Sequence, residues 1–399
     1  MARFGACVLL LAAICTLPRG TLNAANPEVR ALWVQRGTLT SAPAIVSLVE
    51  TAKAAGFNTL VVQVRGRGDA FYNSRLEPRG GALAAQHSSF DPLELVVAVA
   101  HHAGLGVHAW VNVDLVADAD LPAAETHVVY THPEWLMVPR ELSAGLSGLA
   151  PRNPEYVATL ARYARAHSES VEGLYLSPIQ PAAADYTVAV ISDIAGRYAV
   201  DGIHLDYIRF PNEEFDFSAN ALAEFRADVL GRSDAAERRE YERRAAGRPL
   251  FYTQMFPQQW QEFRRDKVTA LVARLRSAVK ARRQGALLTA AVWPDSAEAA
   301  SHRSQDWRAW LDAKLLDAVC PMAYTADPAV FRSQIAAAKQ AAGRQPVWAG
   351  IGAYRLSPSE TLANIEAARR LGAQGVILFS YDNLKTGDYL SKVGREAFK

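Results

Sequence analysis

The chain has 399 residues, half of them apolar and 21% charged, with 43 basic against 41 acidic side chains. That is the composition of a globular protein able to bury a sizeable core without staples. A net charge of +2 removes the electrostatic case for a nucleic-acid partner, and basic pairs such as Arg238-Arg239 and Arg282-Arg283 read as solvated helix faces.

In chain order, Arg3, an apolar run at 6–17 (ACVLLLAAICTL) and the small residues Ala24-Ala25 read as an export signal spanning 1–25. It leaves 26–399 as one exported domain, periplasmic or extracellular. The run is too short for a transmembrane helix, and no other stretch is as apolar, so no transmembrane span is expected. A lipid anchor on Cys15 is the minor alternative, because Ile14 stands where such signals carry a small residue. Cys7 and Cys15 fall within the signal. Cys320, alone in the remainder, reads as a small buried hydrophobe with no disulfide partner.

Strand-like runs then alternate with helical segments. Strands are expected at 30–35 (RALWVQ), 58–65 (NTLVVQVR), 106–112 (GVHAWVN), 202–208 (GIHLDYI), 287–293, 316–324, 346–352 and 375–381. Helices are expected at 42–55, from Asp91-Pro92 to about Ala103, and at 185–198. Repeated strand, helix, strand order implies parallel pairing with right-handed crossovers. Nearly continuous apolar strands imply that both sheet faces are covered. The expected fold is an α/β (β/α)8 TIM barrel; an open doubly wound sheet is the alternative, weakened by the lack of a Gly-rich phosphate fingerprint. Two long excursions, from about Asp114 to Asp185 and from about Pro211 to Asp266, follow the third and fourth strands. Both lie at the face where such barrels carry active sites, and they are expected to wall a cleft.

Strand alternation sorts the side chains at that face. In DGIHLDYIRF, Gly202, His204 and Asp206 share the inward face, with Asp206 at the C-terminal end; Asp201 has the opposite parity and reads as structural. His108, Trp110 and Asn112 share a face, with Asp114 just beyond. Gln63 and Arg65 form a second such set, Trp293 and Asp295 a third, Met322 and Tyr324 a fourth, and Ser380 and Asp382 a fifth. Aromatic rings stack on sugars, while amides and carboxylates take hydroxyls, so this rim describes a carbohydrate site. His108 and His204 read as interior histidines. No lysine ends a strand, which leaves a Schiff-base mechanism without a candidate, and no Gly-x-Ser-x-Gly elbow is present. Paired carboxylates are the equipment of glycoside hydrolysis.

Seven segments carry a family resemblance: RALWVQRGTL at 30–39, GFNTLVVQVRGRGDAFYNSRLEP at 56–78, FDPLELVVAVAHHAGLGVHAWVN at 90–112, YAVDGIHLDYIRFP at 198–211, QDWRAWL at 305–311, VCPMAYT at 319–325 and GVILFSYDNL at 375–384. Together they resemble the glycosyl-hydrolase-like family 10 proteins, secreted bacterial barrels related to a peptidoglycan glycan-strand hydrolase. The resemblance implies a TIM barrel that cleaves glycosidic bonds, including those of peptidoglycan stripped of its peptides. It maps the strand-four aspartate to Asp206 and the GDAFY stretch to Asp69 and Tyr72. Family members often carry an acid directly after that aspartate; here the position is Tyr207.

The expected catalytic set is therefore Asp206 as nucleophile or base, with Asp69 as first and Asp295 as second choice for the acid. Arg65, Tyr72, Asn112, Asp114, Tyr324 and Tyr381 are the expected substrate-binding residues. The partner is a polysaccharide or oligosaccharide, and neither cofactor nor metal is expected. Two alternatives stay open: a non-catalytic glycan-binding barrel, and a metal-dependent hydrolase using His108, His204 and Asp206.

Overall fold

A computed structural model describes residues 28–87 and 89–398. The expected export signal at 1–25, with Cys7 and Cys15, lies outside the described residues. Among the described residues ten strands form: β1 (Val29–Val34), β2 (Thr59–Arg65), β3 (Gly106–Asn112), β4 (Leu115–Ala117), β5 (Leu174–Tyr175), β6 (Gly202–Asp206), β7 (Leu287–Val292), β8 (Ala318–Ala323), β9 (Trp348–Ile351) and β10 (Gly375–Leu378). Eight close into a parallel barrel in the order β1-β2-β3-β6-β7-β8-β9-β10, with β10 returning to β1. β4 and β5 pair antiparallel outside it. This is a (β/α)8 barrel.

The helices between strands start where local chemistry dictates. Asp91 caps Pro92–His102 by accepting from the amides of Leu93 and Glu94, and Pro92 at the first position supplies a preset φ and no orphan N–H. The third expected helix runs Pro181–Arg197, starting earlier than its apolar period suggested because Pro181 opens it.

The barrel interior alternates large and small side chains. Trp33, Trp110 and Trp348 interleave with Ala31, Ala291, Ala318 and Cys320. Cys320 is buried there, and burial pushes its thiol pKa up. His108 faces Gly202 across the β3–β6 register, and a Cβ at Gly202 would lie 2.5 Å from the His108 ring, so the glycine makes room for it. His204 lies one layer above. Its Nε2 accepts from Trp33 Nε1 at 3.1 Å, and its Nδ1 lies 2.9 Å from Thr289 Oγ1. Burial lowers the pKa of His108 to about 4 and that of His204 to about 3. The unfolded chain therefore binds protons below about pH 6.5 that the fold refuses, so these histidines erode stability as pH falls. Replacing His108 with Gln should flatten the stability–pH curve by about 1.4 kcal/mol per pH unit between about pH 6 and 4.5. Urea unfolding of both proteins across that range checks the difference in slope.

The first excursion holds β4, the helix Pro154–Ala166 and β5. The second holds the helices Ala219–Arg232, Ala235–Ala245 and Phe251–Met255, and leads into the 26-residue helix Pro257–Arg282. Buried Asp216 fastens the two excursions together: its Oδ1 accepts from Val138 N and Ser218 N, each at 2.8 Å. Among the described residues no helix is long and apolar enough to cross a membrane.

Candidate active site

β6 ends on Asp206, opposite Asn112 of β3. Beyond it the chain turns through Tyr207, whose φ of 50° is left-handed and costs a non-glycine residue about 1–2 kcal/mol. Four hydrogen bonds hold that turn. Val113 N donates to Asp206 O at 2.8 Å and Asp114 N to Tyr207 O at 3.2 Å. Arg209 N donates to Asp114 Oδ2 at 3.1 Å, and Tyr207 N to Asp206 Oδ1 at 2.7 Å. The turn folds Arg209 back on the strand end: Nη1 lies 3.3 Å from Asp206 Oδ1, Nη2 lies 3.7 Å from Glu172 Oε1, and the guanidinium sits 4.1 Å over the Tyr207 ring. One buried cation thus bridges two carboxylates.

Asp206 opens into a cavity of about 190 Å³ at the C-terminal mouth of the barrel. Trp33, Trp110, Tyr207, Tyr324 and Phe379 supply its aromatic walls, and Gln35, Gln63, Asn112, Arg36, Arg67 and Arg209 its polar ones. Asp206 is the one carboxylate among the lining residues. Burial raises its pKa, opposed by the charge of Arg209 and the Tyr207 N–H. Burial, and then the Asp206 carboxylate, push the Tyr324 phenol well up, so it stays a hydroxyl donor. Asn112 is fixed in place: Oδ1 accepts from Trp110 Nε1 at 3.0 Å, and Nδ2 donates to Gly66 O at 2.8 Å.

The cavity gathers Asp206, Asn112 and Tyr324 from the expected set; the others lie elsewhere. Arg65 is turned away because β2 shifts register between Gln63 and Arg65, which pairs Arg65 with Val111 and reverses its parity. Its guanidinium meets buried Glu77 at 2.8 Å and donates to the carbonyls of Asn112 and Val113. Tyr72 packs edge-on to Tyr198 at 5.8 Å, fully buried. Asp114 stands behind the turn on Arg209 N, and burial raises its pKa well above the usual carboxylate range. Tyr381 lies past the end of β10, buried in the short helix Tyr381–Leu384, while Phe379 takes the wall position.

Asp295 caps the helix Ser296–Arg303, with Oδ1 accepting from Ala297 N at 2.8 Å and Glu298 N at 2.9 Å, and is exposed. Asp295→Ala should cost about 1 kcal/mol of stability, the usual worth of an N-cap, and leave turnover within two-fold; thermal melts beside a rate assay check this. Asp69 lines a second cavity of about 430 Å³ that shares Arg36 and Arg67 with the first. Its Oδ1 accepts from Arg67 N at 2.9 Å.

The first excursion walls this second cavity through Ala117, Asp118, Asp120 and His127. The second excursion lines neither; its helices surround a separate cavity of about 480 Å³ bordered by Arg226, Glu242 and Tyr252. Sequence reasoning missed Trp33 and Gln35, although both share the parity of Ala31 on the first strand. It also missed Arg209, three residues past Asp206, and the loop residues Arg36, Arg67 and Glu172, which no strand period marks. No metal is needed to satisfy His204, whose ring nitrogens are both engaged.

The chain is 24% identical over 331 residues to the glycosyl hydrolase DigH of Escherichia coli, covering 77% of this chain and 62% of that relative's length. The fold superposes on the PgaB (BpsB) glycoside hydrolase domain of Bordetella bronchiseptica with a TM-score of 0.64 and 15% identity, covering 92% of this chain and 98% of that one. It also matches a β-galactosidase of Bacillus circulans with a TM-score of 0.59 and 12% identity, covering 92% and 55%. The glycosyl hydrolase-like 10 family model matches residues 28–354, from β1 to just beyond β9. That span takes in the whole rim except the end of β10, and the chain belongs to the glycosyl hydrolase-like 10 family.

Proposed function

We propose that the chain is a glycosidase that cleaves a polysaccharide in the cavity at the barrel mouth, with Asp206 exchanging a proton with the bridging oxygen. The observation that carries this reading is Asp206 itself: a buried carboxyl with a raised pKa, at a strand's C-terminal end, inside a ring of aromatic side chains. Burial that raises a carboxyl's pKa suits it to donate to a leaving oxygen. In the step proposed, the proton of Asp206 passes to the glycosidic oxygen as the bond to the anomeric carbon breaks. A water oxygen bonds to that carbon, and its proton passes to a second carboxylate. Asp69, on the wall of the adjoining cavity, is proposed for that second role, which reverses the roles expected from the sequence because burial raises the pKa of Asp206; the Oδ2 of Asp69 has no partner among the described residues. Asp295 has no part in the proposal, since two backbone amides occupy its Oδ1 outside the cavity.

The proposed substrate is peptide-free peptidoglycan strands, supported by family membership and by the resemblance of the motifs. Incubating the protein with such strands and measuring new reducing ends tests the reading; their appearance is expected, and their absence would refute it. A non-catalytic glycan-binding barrel is the second reading, favoured by the presence of a single carboxylate in the cavity wall. It predicts strand binding without new reducing ends.

A further inference from the structure

The two cavities share Arg36, which follows β1 at the junction between them. Its Nη1 donates to Gln63 Oε1 at 3.1 Å, and its guanidinium lies 5.9 Å from the Phe71 ring centroid. A Cβ at Gly66 would lie 2.3 Å from that Nη1, so the chain keeps a side chain out of the space the guanidinium fills. The other arginines around it already have partners for their side chains. Arg67 pairs with Asp118, Asp120 pairs with Arg165, and Asp69 accepts from Arg67 N. Arg79 spends its donors on Leu83 O, Asn73 Oδ1 and Phe90 O. Arg36 alone among these arginines has neither a carboxylate partner nor acceptors for Nε and Nη2 among the described residues.

A half-buried guanidinium held in place with open donors, on the shared wall of two adjoining cavities, is suited to receive an anion from outside. We propose that Arg36 is a specificity residue that binds a carboxylate carried by the glycan, on a sugar beside the one cleaved. The proposal rests on the glycosidase reading of the cavity. Within the substrate class proposed above, the lactyl ether of a muramic residue presents that carboxylate only when no peptide is attached, because the peptide converts it to a neutral amide. Arg36 would then be the group that selects peptide-free strands.

The test compares peptide-free strands with the same strands whose lactyl carboxyls have been converted to methyl amides. Wild type should show a kcat/KM about 10- to 100-fold higher on the acidic strands, the worth of one charge-assisted bidentate contact. Arg36→Gln should bring that ratio close to one, and Arg36→Lys should restore part of it. Because the readout is a ratio, a general loss of activity in either variant does not mimic the result. Equal wild-type rates on both strands, or an undiminished ratio in Arg36→Gln, would overturn the proposal while leaving the glycosidase reading standing. If wild type cleaves neither strand, calorimetry decides. Tighter binding of the acidic strands that Arg36→Gln abolishes would sustain carboxylate selection and sink hydrolysis, whereas binding without preference would sink both.

Discussion

Asp206→Asn should lower kcat on peptide-free glycan strands by about 10²- to 10⁴-fold, the range for losing a positioned general acid, with the fold retained. The substitution is nearly isosteric. An amide oxygen still accepts from Tyr207 N, the 2.7 Å bond that helps hold the turn. Glu172 remains as the counter-charge for buried Arg209. Burial already disfavours the ionised form of Asp206, so removing its charge relieves desolvation while it gives up the ion pair. These opposing terms predict a small change in melting temperature beside a large loss of turnover. Reducing-end release and a thermal melt on the same preparation check both halves, and wild-type turnover by a folded variant would remove Asp206 from the mechanism.

Arg65→Met should fail in the opposite way, through stability. The Arg65–Glu77 pair is sealed from solvent, and Tyr186 OH also donates to Glu77 Oε1 at 3.0 Å. Deleting the cation strands a buried carboxylate and frees the carbonyls of Asn112 and Val113, which hold the end of β3. Breaking such a pair from one side costs about 3–5 kcal/mol. Pairing Arg65→Met with Glu77→Leu should recover much of that loss, because no uncompensated charge remains. Denaturant midpoints of the two single variants and the double variant measure this. A weakened KM with unchanged stability in Arg65→Met would instead give Arg65 a direct hold on substrate.

The barrel was legible because its strands are buried on both faces and its helices carry explicit starts, such as Asp91-Pro92. Parity placed His204 and Asp206 on one inward face, with Trp110 and Asn112 beside them. It failed where the backbone leaves its period. At Arg65 the register shift reverses the alternation. At Tyr381 the strand has already ended on Leu378. Asp295 reads equally as a rim acid and as a helix cap, and Ala297 and Glu298, which donate their amides to it, mark the cap. The charged partners of Asp206 were hidden for a different reason. Arg209 reaches Asp206 only through the left-handed turn at Tyr207, and Glu172 reaches Arg209 from the far end of the first excursion. Neither approach has a periodic signature. Asp201, assigned to structure by parity, accepts from Val107 N at 2.7 Å and lies 2.8 Å from His101 Nε2, at the barrel's opposite end.

The most direct measurement is a crystal structure of Asp206→Asn with a peptide-free tetrasaccharide bound. The expected result is sugar rings against Trp33, Tyr324 and Phe379, with a bridging oxygen within about 3.2 Å of the residue-206 side chain, the reach a proton donor needs. A tetrasaccharide seated instead between the helices of the second excursion, beside Arg226 and Tyr252, with the barrel mouth empty of sugar, would contradict it.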